Sequence, residues 1–296
     1  MALTVIEQAY AKVNLCLYLG PTREDGRHEL VTLFDSVRLA DELIVTPQPA
    51  GGPDEVVCDG VSGPNLVSDA LSGLREAGWA APPVRVEIWK RIPIAAGMGG
   101  GSADAAAMLR CARRLAPVDS DAVAAIARGL GADVPSQVMP GPSLGTAAGE
   151  LLEAVPRMEN YAVLVLPAAF ALSTADVYRE ADRLGSGRSS PELAELRERV
   201  LARVPDALGP ELSVNDLQPA ALSLAPAIAD ALIAARQAGA DHAMVCGSGP
   251  TVIGLFWGEE PGRRARAAAE SPTLRDRYPG LGAASPFRSS QSGIRS

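Results

Sequence analysis

The segment Pro93-Ile94-Ala95-Ala96-Gly97-Met98-Gly99-Gly100-Gly101-Ser102-Ala103 places four glycines within five residues. Glycine reaches backbone conformations closed to other residues, so such a run lets main-chain amides crowd around an anion. The free N–H groups and dipole of a helix beginning there would favour phosphate oxygens. The chemistry this suggests is the holding of a polyphosphate. Two charged residues stand out beside it. Of 27 basic residues only Lys12 and Lys90 are lysine, and a chain that otherwise uses arginine keeps a compact ammonium where a planar guanidinium cannot take its place. That directs attention to Lys12. Asp133, in Gly131-Ala132-Asp133-Val134-Pro135, sits at a helix junction two residues before a proline, where a carboxylate ordinarily caps the helix.

A glycine-rich turn followed by an ordinary serine cap is the plain alternative for the loop, and for an isolated glycine cluster it would prevail. The flanking sequence reverses this. Val84, Val86 and Ile88 alternate with Arg85 and Glu87, so a half-buried strand runs directly into the glycines. A helix follows, with Ser102 placed to cap it and Asp104 in its first turn. Met108, Leu109 and Leu115 supply its apolar side, and Arg110, Arg113 and Arg114 complement its C-terminal dipole. Two better-known phosphate loops are excluded. No Gly-Lys-Ser/Thr occurs to form a Walker A motif, and the dinucleotide fingerprint fails because Ser102 stands where its third glycine is required.

The elements around these residues read as follows. Residues 3–20 and 30–46 are rich in Val, Leu and Ile and predict strands joined by the polar turn 21–26. A Gly/Pro connector at 48–53 leads through a short strand near Val56 to a helix over 66–77. A helix over 120–130 ends at Gly131. Beyond Pro156 the pattern gives a strand over 161–166, a helix over 174–184, a Gly/Ser linker over 185–190 and a helix over 191–204. A helix over 219–238, strands over 242–246 and 251–257, and a last helix over 261–269 complete it. This predicts an α+β chain with domains at 1–155 and 156–285 and a loose tail from 286 to 296. The second domain is expected to be an antiparallel sheet with helices on one face.

Composition narrows the function. Hydrophobic residues make up 47% of the 296 and charged residues 21%, ordinary usage for a folded chain. The net charge of −8, with no basic run interleaved with aromatics, argues against nucleic acid. The N-terminal residues lack a basic segment followed by an apolar one, so no signal peptide is expected, and no apolar stretch is expected to span a bilayer. A cytoplasmic protein is expected. Cys16, Cys58, Cys111 and Cys246 show no metal or disulfide spacing, and with only His28 and His242 beside them they read as reduced thiols with no protein-built metal site.

The pattern Pro-x-x-x-Gly-x-Gly-Gly-Gly-Ser-Ala is similar to the phosphate-binding motif of the galactokinase, homoserine kinase, mevalonate kinase and phosphomevalonate kinase (GHMP) superfamily. Ala11-Lys12-Val13-Asn14-Leu15 resembles its N-terminal motif, and Gly247-Ser248-Gly249-Pro250-Thr251 its C-terminal glycine motif, which in the family packs against the phosphate loop. With Asp25-Gly26-Arg27-His28-Glu29-Leu30 and Gly131-Ala132-Asp133-Val134-Pro135, the set resembles the branch acting on a cytidine diphosphate-linked methylerythritol in the non-mevalonate route to isoprenoids. The resemblance runs from about residue 9 to 286. It implies a two-domain GHMP-kinase-like fold, a second domain of ferredoxin-like type, ATP with Mg2+, and phosphorylation of a tertiary hydroxyl by a monomer or homodimer.

By the same resemblance Asp133 accepts the proton of the acceptor hydroxyl, and Lys12 keeps Asp133 ionised and stabilises the transferring charge. Residues 93–103 hold the triphosphate, Ser102 reaching a phosphate or Mg2+. Asn65 matches a position near adenine, although an Asn before a helix is commonly just a cap. Asn14 and His28 face the acceptor, His28 reading the cytosine, while Gly247, Ser248 and Gly249 support the loop. The chain departs from the family at Arg27, which stands where many members carry a stacking tyrosine. A guanidinium can stack in its place or pair with a diphosphate. Residues 141–150 match the family only in part. Another GHMP kinase of homoserine or mevalonate type, and a catalytically silent relative, are the alternatives. Asp25-Gly26-Arg27-His28 argues against the first, and the presence of both Lys12 and Asp133 against the second.

Overall fold

Alternating apolar residues near the start of the chain build a long antiparallel hairpin, β1 (Val5–Thr22) and β2 (His28–Pro47), closed by the turn between Thr22 and His28. The register pairs Lys12 with Ser36 and Asn14 with Phe34, and it shifts between Tyr10 and Ala11 and again between Asn14 and Cys16. Irregularities of this kind re-aim side chains, and these two bracket Lys12 and Asn14. The computed structural model describes residues 4–61, 63–94, 97–158, 160–204 and 206–286. Ala95, Ala96 and the tail 287–296 lie outside the described residues, whereas Pro286 forms a bridge with Val37.

β3 (Glu55–Cys58) and helix α1 (Leu66–Glu76) precede β4 (Val84–Trp89). β4 lies parallel to β3 and antiparallel to residues 42–47 of β2. Helices α2 (Gly100–Leu115), α3 (Ser120–Leu130) and α4 (Val134–Val138) follow. Two short strands that the sequence pattern did not predict, β5 (Ser143–Thr146) and β6 (Leu151–Ala154), extend the sheet alongside residues 32–34 of β2. β5 lies within the partly matching segment 141–150 and β6 directly follows it, and each has only four residues.

The second half contains β7 (Tyr161–Leu166), α5 (Thr174–Leu184), α6 (Ser190–Arg203), α7 (Gln218–Leu224) and α8 (Ile228–Gln237). β8 (His242–Val245), β9 (Val252–Trp257), α9 (Pro261–Ala269), α10 (Pro272–Arg277) and β10 (Gly282–Ala284) complete it. The single helix expected over 219–238 is two helices. Pro226 cannot continue α7, and the chain restarts as α8. The sheet runs β10-β7-β9-β8, antiparallel throughout.

Strand periodicity shows how the halves meet. On β7, Ala162, Leu164 and Leu166 pack with α8 and α9, whereas Tyr161, Val163 and Val165 join the core built on β1, β2, β4 and α2. All six β7 residues are buried, as expected of a strand covered on both faces. Polar ties reinforce the seam. Tyr161 donates its hydroxyl to Asp35 Oδ2 at 2.6 Å, Tyr18 donates to the Leu212 carbonyl at 2.6 Å, and Arg188 grips Asp216, which also accepts from the Leu19 N–H.

Candidate active site

Helix α2 begins at Gly100, two residues earlier than the placement of Ser102 as its cap. Gly99 takes the N-cap position in a left-handed conformation, with φ 66°, so Ser102 lies in the first turn and Asp104 beyond it. An added Cβ at Gly99 would also crowd Lys12, standing 3.1 Å from its Cγ. The loop is thus moulded against β1, and the Lys12 N–H donates to the Met98 carbonyl at 3.1 Å.

Lys12 is 6% exposed. Its Nζ donates to Asn14 Oδ1 at 2.9 Å, lies 3.4 Å from Asp133 Oδ2, and sits 5.2 Å from the centre of the Phe34 ring. Asn14 is fixed in turn by donating to Thr32 Oγ1, whose hydroxyl donates to the Cys16 carbonyl. Asp133 precedes α4, yet its side chain makes no cap bond among the described residues. The ordinary structural role of an Asp at a helix start is therefore not taken up, and its carboxylate, 35% exposed, remains beside the ammonium.

The C-terminal glycine motif closes over this pair. An added Cβ on Gly247 would meet Asn14 Oδ1 at 3.2 Å and Lys12 Nζ at 3.6 Å, and one on Gly97 would stand 2.7 Å from the Gly249 carbonyl oxygen. Ser248 pairs its hydroxyl with Thr174 at 3.0 Å. Asn215, which the sequence pattern did not single out, holds the motif from behind by donating to the carbonyls of Val245 and Gly247. No periodicity marks a lone Asn between helices, so nothing in the sequence pointed to it.

Beside the loop opens a cavity of about 360 Å³. Pro93, Ile94 and residues 97–102 line one side, and Cys58, Val61, Asn65, Leu66, Lys90 and Asp104 the other. Ala103 is buried beneath and donates its N–H to the Gly99 carbonyl. Asn65 caps α1 by accepting from the Val67 N–H at 2.9 Å and also lines the cavity. Lys90, the other lysine, bridges Asp41 at 2.5 Å and Asp104 at 2.7 Å. Burial, the largest influence, pulls its ammonium down, but the two carboxylates more than offset this and the net shift is upward. Lysine scarcity singled out Lys12 alone in the sequence, although Lys90 shares its rarity.

Arg27 and His28 lie at the hairpin end. Arg27 donates through Nε and Nη2 to Asp25 and through Nη2 to Glu150, beside Arg23. His28 is 8% exposed, its Nε2 2.7 Å from Asp182 Oδ1 on α5. Its ring lies 5.2 Å from that of Tyr178, a neighbour the sequence pattern left unmarked. Burial pushes the Tyr178 phenol up to about 12, with the Asp133 charge adding to it. The segment 141–150 forms the adjoining wall. A Cβ on Gly145 would collide with Phe34 at 2.7 Å, and the Leu30 N–H donates to the Ala147 carbonyl.

Known proteins resemble this arrangement. The model for the GHMP kinases N terminal domain matches residues 65–141 and that for GHMP kinases C terminal matches residues 193–272. The 4-diphosphocytidyl-2-C-methyl-D-erythritol kinase of Streptomyces coelicolor is 40% identical over 265 residues, covering 86% of this chain and 88% of that protein. The enzyme of the same description from Anaeromyxobacter dehalogenans is 39% identical, covering 90% and 85%. A crystal structure of a 4-(cytidine 5'-diphospho)-2C-methyl-D-erythritol kinase superposes with a TM-score of 0.78 at 33% identity, over 96% of this chain and 100% of that one. A homoserine kinase from Cytophaga hutchinsonii, at 16% identity and TM-score 0.68, shares the fold. No helix among the described residues is long and apolar enough to cross a membrane.

Proposed function

Because the chain belongs to the 4-diphosphocytidyl-2-C-methyl-D-erythritol kinase family of GHMP kinases, we propose that Lys12 and Asp133 are its catalytic pair and that the cavity beside residues 97–102 holds ATP. The protein is an ATP-dependent small-molecule kinase. It phosphorylates the 2-hydroxyl of 4-diphosphocytidyl-2-C-methyl-D-erythritol in the methylerythritol phosphate route to isoprenoid precursors.

The observation that carries the assignment is the double attachment of Lys12. Its main chain is bonded to the glycine loop at Met98 and its ammonium lies 3.4 Å from Asp133. Phosphoryl transfer requires an anchored donor, neutralised oxygens and an aligned acceptor hydroxyl. Amides of Gly97, Gly99, Gly100 and Gly101 and the start of α2 hold the phosphates. Ser102, lining the cavity in the first turn of α2, would hold Mg2+ brought in with the triphosphate, and the ion would supply neutralising charge to the phosphate oxygens. Lys12 stabilises the charge passing between donor and acceptor. Asp133 orients the hydroxyl and takes its proton at the free carboxylate oxygen.

The acceptor extends from this pair towards His28. With Nε2 engaged by Asp182, His28 offers Nδ1 to the cytosine, and Asn14 contacts the acceptor near Lys12. Arg27 stacks on the base in place of a tyrosine. Its bonds to Asp25 fix the guanidinium plane, while the carboxylates of Asp25 and Glu150 disfavour a diphosphate there. Gly247, Ser248 and Gly249 buttress the phosphate loop. Residues 1–155 and 156–285 are taken as the two functional domains, acting on a small-molecule acceptor in the cytoplasm.

The test is ATP consumption with magnesium against the diphosphocytidyl substrate, homoserine and mevalonate. Turnover of the diphosphocytidyl substrate alone is expected. Asp133→Asn should lower kcat by ~10²–10⁴ with an unchanged melting temperature, since Asp133 makes no cap bond. Full activity in Asp133→Asn would remove it from the mechanism.

A further inference from the structure

A second cavity, of about 370 Å³, opens along the outer edge of the C-terminal sheet and shares no lining residue with the one beside the glycine loop. Strand β8 forms that edge, and an outer strand carries main-chain groups that need partners. Here the partners line the cavity. Asn215 donates to the Val245 carbonyl, Gln218 accepts from the Val245 N–H through Oε1 at 2.9 Å, and Arg236 donates through Nη2 to the Ala243 carbonyl at 3.3 Å. Two lining side chains carry a full charge. Asp216 is gripped by Arg188 and accepts from the Leu19 N–H, so its charge is already answered. Arg236 pairs with no carboxylate among the described residues, and the Ala243 carbonyl occupies one of its five N–H donors. Ser213, 1% exposed, also lines the cavity, and its Oγ meets no partner among the described residues. Burial, reinforced by the Arg236 charge, holds the His242 imidazole below its ordinary value, so this lining ring is neutral at neutral pH. The wall offers donors and one unanswered positive charge, which is the chemistry of an anion site.

We propose that this cavity is a second small-molecule site, for a phosphorylated organic molecule, and that its occupant acts on the glycine motif at residues 247–249. A guanidinium fork matches phosphate oxygens. A phosphomonoester has three oxygens to share among Arg236, the Gln218 amide and the Ser186 hydroxyl, whereas a carboxylate has two. The volume exceeds that of a bare phosphate, and Pro219, Ala243 and Met244 supply apolar contact for an organic part. The path to the active site is one residue long. Asn215 lines the cavity and donates to the Gly247 carbonyl at 2.7 Å, and Gly247 packs against Asn14 and Lys12. An occupant that fits the cavity with Asn215 in this position favours it over any arrangement in which Asn215 releases the motif. The effect on ATP rests on the assignment of the glycine loop to the triphosphate, and the anion site itself does not.

The test uses the full-length protein with its active site filled by a non-transferable ATP analogue, Mg2+ and cytidine diphosphate, so that an anion can bind only elsewhere. Phenyl phosphate is titrated by calorimetry, with benzoate as its carboxylate counterpart. Phenyl phosphate is expected to bind at one per chain and benzoate about tenfold more weakly or not at all. Arg236 is exposed, so Arg236→Gln should keep the wild-type melting temperature and, without phenyl phosphate, the wild-type kcat and KM, while binding phenyl phosphate about tenfold more weakly. In the wild type, phenyl phosphate should tighten binding of the ATP analogue by about twofold or more, and Arg236→Gln should lose this effect at the same concentration. No binding to the wild type, equal binding of phenyl phosphate and benzoate, or equal binding by wild type and Arg236→Gln would overturn the site. Binding that leaves the affinity for the analogue unchanged would overturn the action on the glycine motif. Failure of the analogue itself to bind would instead overturn the assignment of the other cavity to ATP.

Discussion

At the scale of single residues, the site turns on shape as much as charge. Lys12 occupies a slot bounded by Asn14, Phe34, Gly99 and Gly247, with room for an ammonium and little more. Lys12→Arg is therefore expected to lose activity nearly as completely as Lys12→Ala, on the order of 10²-fold or more in kcat, although it keeps the charge. Parallel kinetics and melting curves check this, and an arginine variant with more than a tenth of wild-type kcat would contradict it. Lysine scarcity and the glycine-rich run made Lys12 and residues 97–102 legible in the sequence. His28 was legible only in type. Its bond to Asp182 and its neighbour Tyr178 come from a helix some 150 positions away, and no local pattern encodes such a meeting.

At the scale of elements, two glycine loops are pressed together. Gly97 has φ 72° and faces the Gly249 and Cys246 carbonyl oxygens. Gly97→Ala must separate the loops, because the new Cβ would fall 2.7 Å from one oxygen and 3.0 Å from the other. The expected outcome is a loss of kcat of about tenfold or more with a lowered melting temperature, read by steady-state kinetics and calorimetry. Wild-type kinetics in this variant would show that the contact is dispensable. Most elements were legible: β7 and α5 fall where the alternating and helical patterns put them. The exceptions have local causes. β5, β6 and β10 have at most four residues each, so little alternation marks them, although β3 and β8 are as short and were recognised. The start of α2 falls within two residues of Ser102 as expected, but a left-handed glycine, rather than the Ser102 side chain, caps it.

At the scale of the whole molecule, the seam between the halves contains an acid buried against its preference. Burial pushes Asp35 up to about 6, with the bonds from Tyr161 and the Ser36 N–H acting in the opposite direction. Its folded value lies above the unfolded value of about 4, so the folded state holds the proton more tightly. Stability from this group is greatest below about pH 4 and declines as pH rises to about 6, by about 3 kcal/mol at most. Denaturant titrations at pH 4 and pH 7 should show wild type losing stability relative to Asp35→Asn across that interval. Parallel behaviour would place the proton elsewhere. The contact of Gly97 with Gly249 also bears on how the protein is made. A ribosome releases Lys12 and the phosphate loop well before it reaches Gly249, so the walls around the ammonium stay incomplete until nearly the whole chain has been synthesised. Nascent and prematurely terminated chains that end before Gly247 are thus unable to spend ATP, whatever part of the first sheet they have already folded.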